Sequence, residues 1–171
     1  MIDDRRAESK AEAPTPSPER SAMMRSVKAS GTTPELLIRR TLHALGRRFR
    51  VCDRKFPGKP DLRFPSSRKI ILVHGCFWHR HDCKAGKAIP KTNRSFRIRK
   101  FERNVERDVE NVEELGKLGY DVLVAWEGRT KGRNAKELIG EIPRFLDGAA
   151  PDDETMAKID EALTKAQTKR K

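Results

Sequence analysis

Asp61-Leu62-Arg63-Phe64-Pro65-Ser66-Ser67-Arg68-Lys69-Ile70-Ile71-Leu72-Val73-His74 reads as two short runs on either side of a turn-like linker. Residues 61–64 and 69–73 have strand length and composition, and Pro65-Ser66-Ser67-Arg68 breaks them, so a β-hairpin is predicted. Phe64 then lies beside Lys69, and counting back two for two sets Asp61 across from Leu72. A single carboxylate is thereby delivered next to Val73 and His74, where the following loop begins.

Upstream, residues 49–52 form another strand-like run. Before them Thr32-Thr33-Pro34-Glu35 supplies a cap, a first-turn proline and an acid at the positive helix end. Leu36, Leu37, Ile38, Leu42 and Leu45 follow before Gly46, which predicts a helix over 33–45. Downstream, residues 75–93 lack periodicity and read as a loop that a bound metal would order. Phe101, Val105, Val109, Val112, Leu115 and Leu118 then recur at spacings of four, four, three, three and three, an amphipathic helix ended by Gly119. Residues 120–126 read as a buried strand, 134–146 as a closing helix, and 152–167 as a polar helix with Met156, Ile159, Ala162 and Leu163 available to dock. The order predicts one α/β domain whose mixed sheet is flanked by helices.

The 171 residues suffice for one domain with a tail or two. Residues 1–20, rich in Ala, Pro, Ser and charge, read as a disordered leader. The domain proper is expected over 21–148, and 149–171 as a polar C-terminal tail with helical character. Ile70-Ile71-Leu72-Val73 is far too short to span a bilayer, and the amino terminus has no apolar signal region, so a cytoplasmic protein with no membrane partner is expected.

Lys and Arg number 38 against 25 Asp and Glu. Residues 21–60 carry 10 basic and 2 acidic groups and residues 61–100 carry 11 and 2, a combined excess of +17 that exceeds the whole-chain +13. The surplus therefore surrounds one part of the sequence. Such concentration favours a polyanionic partner over an idle basic surface.

That part is His74-Gly75-Cys76-Phe77-Trp78-His79-Arg80-His81-Asp82-Cys83, which holds three of the four histidines and two of the three cysteines. The odd cysteine count and the interleaved histidines argue against a disulfide framework and for metal. Cys76, His81 and Cys83 suit three corners of a tetrahedral Zn²⁺ site. The fourth corner belongs to a distant group or water, unless the thiols are merely buried. Cys52 reads as a buried strand residue.

Phosphodiester hydrolysis needs a cation against developing charge, a carboxylate to hold it and a base near the attacking water. Asp61 is the candidate Mg²⁺ ligand, with a turn or capping role as its alternative. His79 is the candidate base, and His74 a contact to the scissile phosphate. Glu35 is either a second acid near the metal or only a favourable helix-end charge. Phe77 and Trp78 either wedge into a base stack or form a satellite core over the metal.

With those residues in view, the chain resembles the very-short-patch mismatch repair endonucleases. The resemblance is carried by Phe56-Pro57-Gly58-Lys59-Pro60-Asp61, His74-Gly75-Cys76-Phe77-Trp78-His79, Arg103-Asn104-Val105-Glu106-Arg107-Asp108 and Val122-Leu123-Val124-Ala125-Trp126-Glu127, and runs from about Met24 to Arg133. It implies a restriction-endonuclease-like fold and Mg²⁺-dependent nicking of double-stranded DNA beside the thymine of a T·G mismatch, the product of 5-methylcytosine deamination. It makes Asp61 the metal-binding carboxylate, helped by the backbone oxygen of Val73, and His79 the general base. His74 and Glu35 become supporting groups, Phe77 and Trp78 the intercalating wedge, and Cys76, His81 and Cys83 zinc ligands. A monomer, with a functional link to a DNA cytosine methyltransferase, is expected.

Two positions depart from the family pattern. Gly128 stands where the family has its fourth zinc ligand, a Cys. Arg97 stands where the family has a further wedge Trp, and is read as stacking on bases or contacting phosphate. These departures keep open an endonuclease of the same fold with a different target. A non-catalytic DNA-binding module is the third reading, but such a module needs neither Asp61 nor His79.

Overall fold

The computed structural model describes residues 30–168. The expected leader over 1–20 and the domain start near Ser21 lie outside them. In chain order the elements are α1 (Thr33–Ala44), β1 (Arg50–Val51), β2 (Leu62–Phe64), β3 (Lys69–His74), α2 (Lys84–Lys87), α3 (Arg94–Lys117), β4 (Asp121–Trp126), a 3₁₀ turn (Glu127–Thr130), α4 (Arg133–Asp147) and α5 (Asp153–Thr168).

The sheet has the order β1-β2-β3-β4, with the first two pairings antiparallel and β3 parallel to β4. The hairpin ladder pairs Phe64 with Lys69 and Leu62 with Ile71, which sets Asp61 at the end of β2 opposite Leu72 as expected. Alternation then sends Leu62, Phe64 and Ile71 to one face, where they meet Ile38 and Leu42 of α1, Leu138, Ile139 and Ile142 of α4, and Ile159 and Leu163 of α5. Ile70 and Leu72 point to the other face and pack on Leu115 of α3, with Phe56, Val112 and Tyr120 around them. The result is a mixed sheet between helical layers, an α/β fold of the expected class.

The polar helix expected over 152–167 is present as α5. Three differences from expectation have physical reasons. The run 49–52 keeps only Arg50 and Val51 as strand, because Cys52 turns to φ 47°. Cys52 is therefore not a buried strand residue; it is half-buried beyond the strand and its Sγ accepts from Arg39 at 3.4 Å. The loop 75–93 contains the single-turn α2, whose start is capped by the Cys83 sulfur accepting from Gly86 N. On α3, Phe101 and Leu115 are buried, but Val105 and Val109 are exposed, as is Leu118 just past its end. A helix of 24 residues is about 36 Å long, whereas the six residues of β3 or β4 reach only about 20 Å. The amino-terminal half of α3 therefore overhangs the sheet and covers the loop 75–93.

Candidate active site

Asp61 precedes β2 and follows the buried Pro60. Its Oδ2 accepts a 2.7 Å hydrogen bond from the Val73 amide, so the carboxylate is fixed between adjacent strands. Burial pushes its pKa up to about 6. The Val73 amide, Arg39 and His79 oppose that rise, and the charge of Glu35 adds to it. A desolvated carboxylate of this kind regains its charge most readily beside a cation, which fits the hard oxygen chemistry of Mg²⁺.

His74 ends β3, and the turn after it brings His79 back over it through amides of Trp78 and His79 that both donate to Gly75 O at 3.1 Å. The two imidazoles stack, with centroids 4.1 Å apart and planes 12° from parallel. His79 Nδ1 is hydrogen-bonded to the Asp108 carboxylate of α3. With Asp108 accepting from Nδ1–H, Nε2 is left as the basic nitrogen. Burial, and then the charge of His79, push the pKa of His74 down to about 4, so it is neutral at pH 7.

His74, His79 and Asp108 can also gather around an ion, their ligand atoms lying within 4.8 Å of one another. Two imidazoles suit a borderline transition metal better than Mg²⁺, which leaves Asp61 as the harder ligand. Asp61, Val73, His74, His79 and Asp108 all line one cleft of about 680 Å³, together with basic groups of the loop 53–60 and of α3.

Glu35 is buried and committed: it accepts from Gly31 N, Thr32 Oγ1 and Arg39 Nη2, each at 2.8 Å. It secures the start of α1 while its charge reaches Asp61.

The ligand atoms of Cys76, His81 and Cys83 lie within 4.8 Å of one another. Gly128 N donates to Cys76 Sγ at 3.2 Å and Gly86 N to Cys83 Sγ at 3.4 Å. Amide donors aimed at sulfur favour thiolates. Hydrogen bonding from His81 and Gly86 brings Cys83 down to about 7, whereas burial raises Cys76. This donor set fits zinc with three protein ligands. A Cβ on Gly128 would stand 3.2 Å from Cys76 Sγ, so residue 128 borders the cluster directly. Trp126 joins the two groups, tilted against His81 at 4.5 Å and edge-on to His74 at 5.4 Å.

Phe77 and Trp78 are half-buried and pack edge-to-face with one another and with Phe101 of α3. Lys100 lies 5.0 Å over the Trp78 ring and Arg80 4.8 Å over Phe101. Arg97 sits on the overhanging end of α3, half-buried, its Nε enclosed with no partner among the described residues.

Sequence reasoning gave no role to Asp108, Asn104, Asn111 or Arg107. Asn104 donates to Trp78 O at 3.1 Å, Asp108 holds His79, and Asn111 packs on Gly58. Their spacing of four and three is a polar stripe on one helical face, which is the signal that could have found them.

The family model described as DNA mismatch endonuclease Vsr matches residues 14–85. The chain is 39% identical over 131 residues to the type II nicking enzyme V.NmeAIP of Neisseria meningitidis, covering 76% of this chain and 93% of that relative. It is 41% identical over 112 residues to V.XorIIP of Xanthomonas oryzae, covering 65% and 82%. Against the DNA mismatch endonuclease Vsr of Escherichia coli it is 40% identical over 114 residues, covering 67% and 72%.

Proposed function

The chain belongs to the Vsr family of DNA mismatch endonucleases and is a DNA endonuclease, and we propose that it nicks one strand of a duplex at T·G mismatches left by deamination of 5-methylcytosine. Such substrates presuppose a DNA cytosine methyltransferase, whose damage this activity repairs. The observation that carries the reading is the meeting of Asp61 and the His79/Asp108 pair in one cleft.

Asp61, with the backbone oxygen of Val73, would hold Mg²⁺. The ion, when bound, supplies charge neutralisation at the scissile phosphate. His79 Nε2 takes the proton of the attacking water, and Asp108 keeps Nδ1 protonated so that Nε2 is available to do so. Neutral His74, stacked on His79, contacts the phosphate without adding a second positive ring. Cys76, His81 and Cys83 would hold a structural zinc that fixes the turn carrying Phe77, Trp78 and His79. Phe77 and Trp78 would enter the base stack at the mismatch.

A labelled T·G duplex, other mismatches and a perfect duplex, each incubated with and without Mg²⁺, test the proposal together. Single-strand cleavage of T·G that requires Mg²⁺ and exceeds the other substrates supports it. Equal rates on all duplexes overturn mismatch specificity. Arg97 in place of the family's wedge Trp and the similarity to type II nicking enzymes favour a second reading, the same chemistry aimed at a different target. A non-T·G duplex cut fastest would establish it.

A further inference from the structure

The loop 53–60 between β1 and β2 is anchored at three points. Asp53 accepts from Arg63 Nε at 2.9 Å and Nη2 at 2.7 Å, and both side chains of that ion pair are close to buried. Phe56 packs edge-on against Tyr120 at 5.3 Å, with the Arg63 guanidinium 4.4 Å over its ring. Gly58 comes so close to α3 that a Cβ would lie 3.0 Å from Asn111 Cγ. After Gly58 at φ 68°, Lys59 also adopts a left-handed φ of 51°, immediately before the buried Pro60. A non-glycine residue in that conformation next to a proline is held there by its surroundings.

Of the three exposed basic side chains that the loop carries, Arg54, Lys55 and Lys59, two line the cleft. Arg54 and Lys59 are exposed, line the cleft of Asp61 and His79, and take part in no ion pair among the described residues. Arg107 of α3 lines the same cleft, where its guanidinium donates to the uncharged Asn104 side chain at 3.4 Å. Basic groups nearer the protein interior are matched, Arg39 to Glu35 and Arg63 to Asp53. Three cations outside any ion pair line one cleft and suit a polyanionic ligand.

We propose that the loop 53–60 is a preorganised phosphate clamp, in which Arg54 and Lys59, together with Arg107, bind backbone phosphates flanking the scissile one on the strand that is cut. The assignment rests on the endonuclease reading and deepens it. The anchors remove the ordering cost that flexible basic side chains on a mobile loop would carry. Backbone contacts of this kind fix register and carry no base sequence, so the clamp sets where the phosphate lies relative to Asp61.

The test is metal-free equilibrium binding of the full chain to a T·G duplex, read by fluorescence anisotropy across a salt series. Each phosphate contact contributes about 0.9 to the slope of log affinity against log salt. The double variant Arg54→Gln/Lys59→Gln is expected to lower that slope by about 2. A neutral methylphosphonate placed beside the cut site, in the cut strand, should weaken the unaltered protein about tenfold and the double variant far less. An unchanged slope, or an undiminished methylphosphonate effect in the variant, overturns the clamp. An effect confined to the complementary strand overturns the strand assignment. Because binding is read without metal, a failure to nick would count against the catalytic reading and leave this one standing.

Discussion

The imidazole of His74 lies face to face with that of His79, 4.1 Å away, and His79 alone is held by the Asp108 carboxylate. Two cationic rings at that separation would repel, so the pair divides its roles. His74 stays neutral in its buried position, and His79 is the ring able to take a proton and have the charge balanced.

That division makes Asp108 testable. Asp108→Asn keeps the size of the side chain but removes the charge that balances an imidazolium and permits the wrong tautomer. The nicking rate constant is expected to fall about 10²- to 10⁴-fold, with KM for the duplex nearly unchanged. A variant that nicks at the normal rate would remove His79 from the role of base.

The pH profile follows from Asp61. Its pKa is pushed up to about 6, so the carboxylate form proposed to hold the metal is lost as pH falls through that value. Nicking should therefore decline below about pH 6. Bound cation competes with the proton, so raising Mg²⁺ should move the acid limb to lower pH. A limb that ignores Mg²⁺ concentration would mean that another group sets it.

The same shift has a stability consequence, with the opposite sign to a salt-bridged acid. The folded protein binds the Asp61 proton more tightly than the unfolded chain does. The stabilisation is thus present below pH 4 and lost as pH rises through about 6. Above that, the ionised buried carboxylate costs up to about 3 kcal/mol. Asp61→Asn retains an acceptor for the Val73 amide, so it is expected to raise Tm in EDTA at pH 8 and, in a separate assay with Mg²⁺, to abolish nicking. A fall in Tm would show that the hydrogen bond outweighs the desolvation.

Much of this arrangement is legible in the amino-acid sequence, and the parts that are not share a cause. The position of Asp61 opposite Leu72 follows from strand alternation and a short turn, both local properties. The cluster from His74 to Cys83 is likewise a contiguous string. Asp108, by contrast, stands among Glu102, Glu106 and Glu110 on a highly charged helix, and only the faint stripe it shares with Asn104 and Asn111 separates it from a solvated face. Only the packing of α3 over the loop 75–93 selects it. That overhang also explains Val105, whose apolar spacing predicted burial where the sheet has already ended.

Zinc retention tests the departure at Gly128. A zinc held by only the three residues proposed, Cys76, His81 and Cys83, would be stripped by chelator faster than one with four protein ligands. Gly128→Cys is expected to slow that loss, measured by elemental analysis after timed exposure to EDTA. Its Cβ would lie 3.2 Å from Cys76 Sγ, so a small shift of the 3₁₀ turn is required. Purified protein that holds no zinc in either form would assign the cluster to packing alone.

The last prediction separates wedge from satellite core at Trp78. Its ring touches Phe77, Phe101 and the Lys100 ammonium, yet remains partly open to solvent, so both roles are compatible with its contacts. They differ in where the energy is collected. A core residue stabilises the free protein, and removal of a large aromatic there costs about 3 to 5 kcal/mol, a drop in Tm visible without DNA. A wedge is used only in the complex, where stacking against a base contributes about 1 to 3 kcal/mol. Trp78→Ala is expected to lower Tm only slightly, while reducing the preference for T·G over perfect duplex by tenfold or more, roughly the ratio such a stacking loss produces. A large Tm loss with unchanged preference would assign Trp78 to the core beneath α3 and leave mismatch sensing to another group.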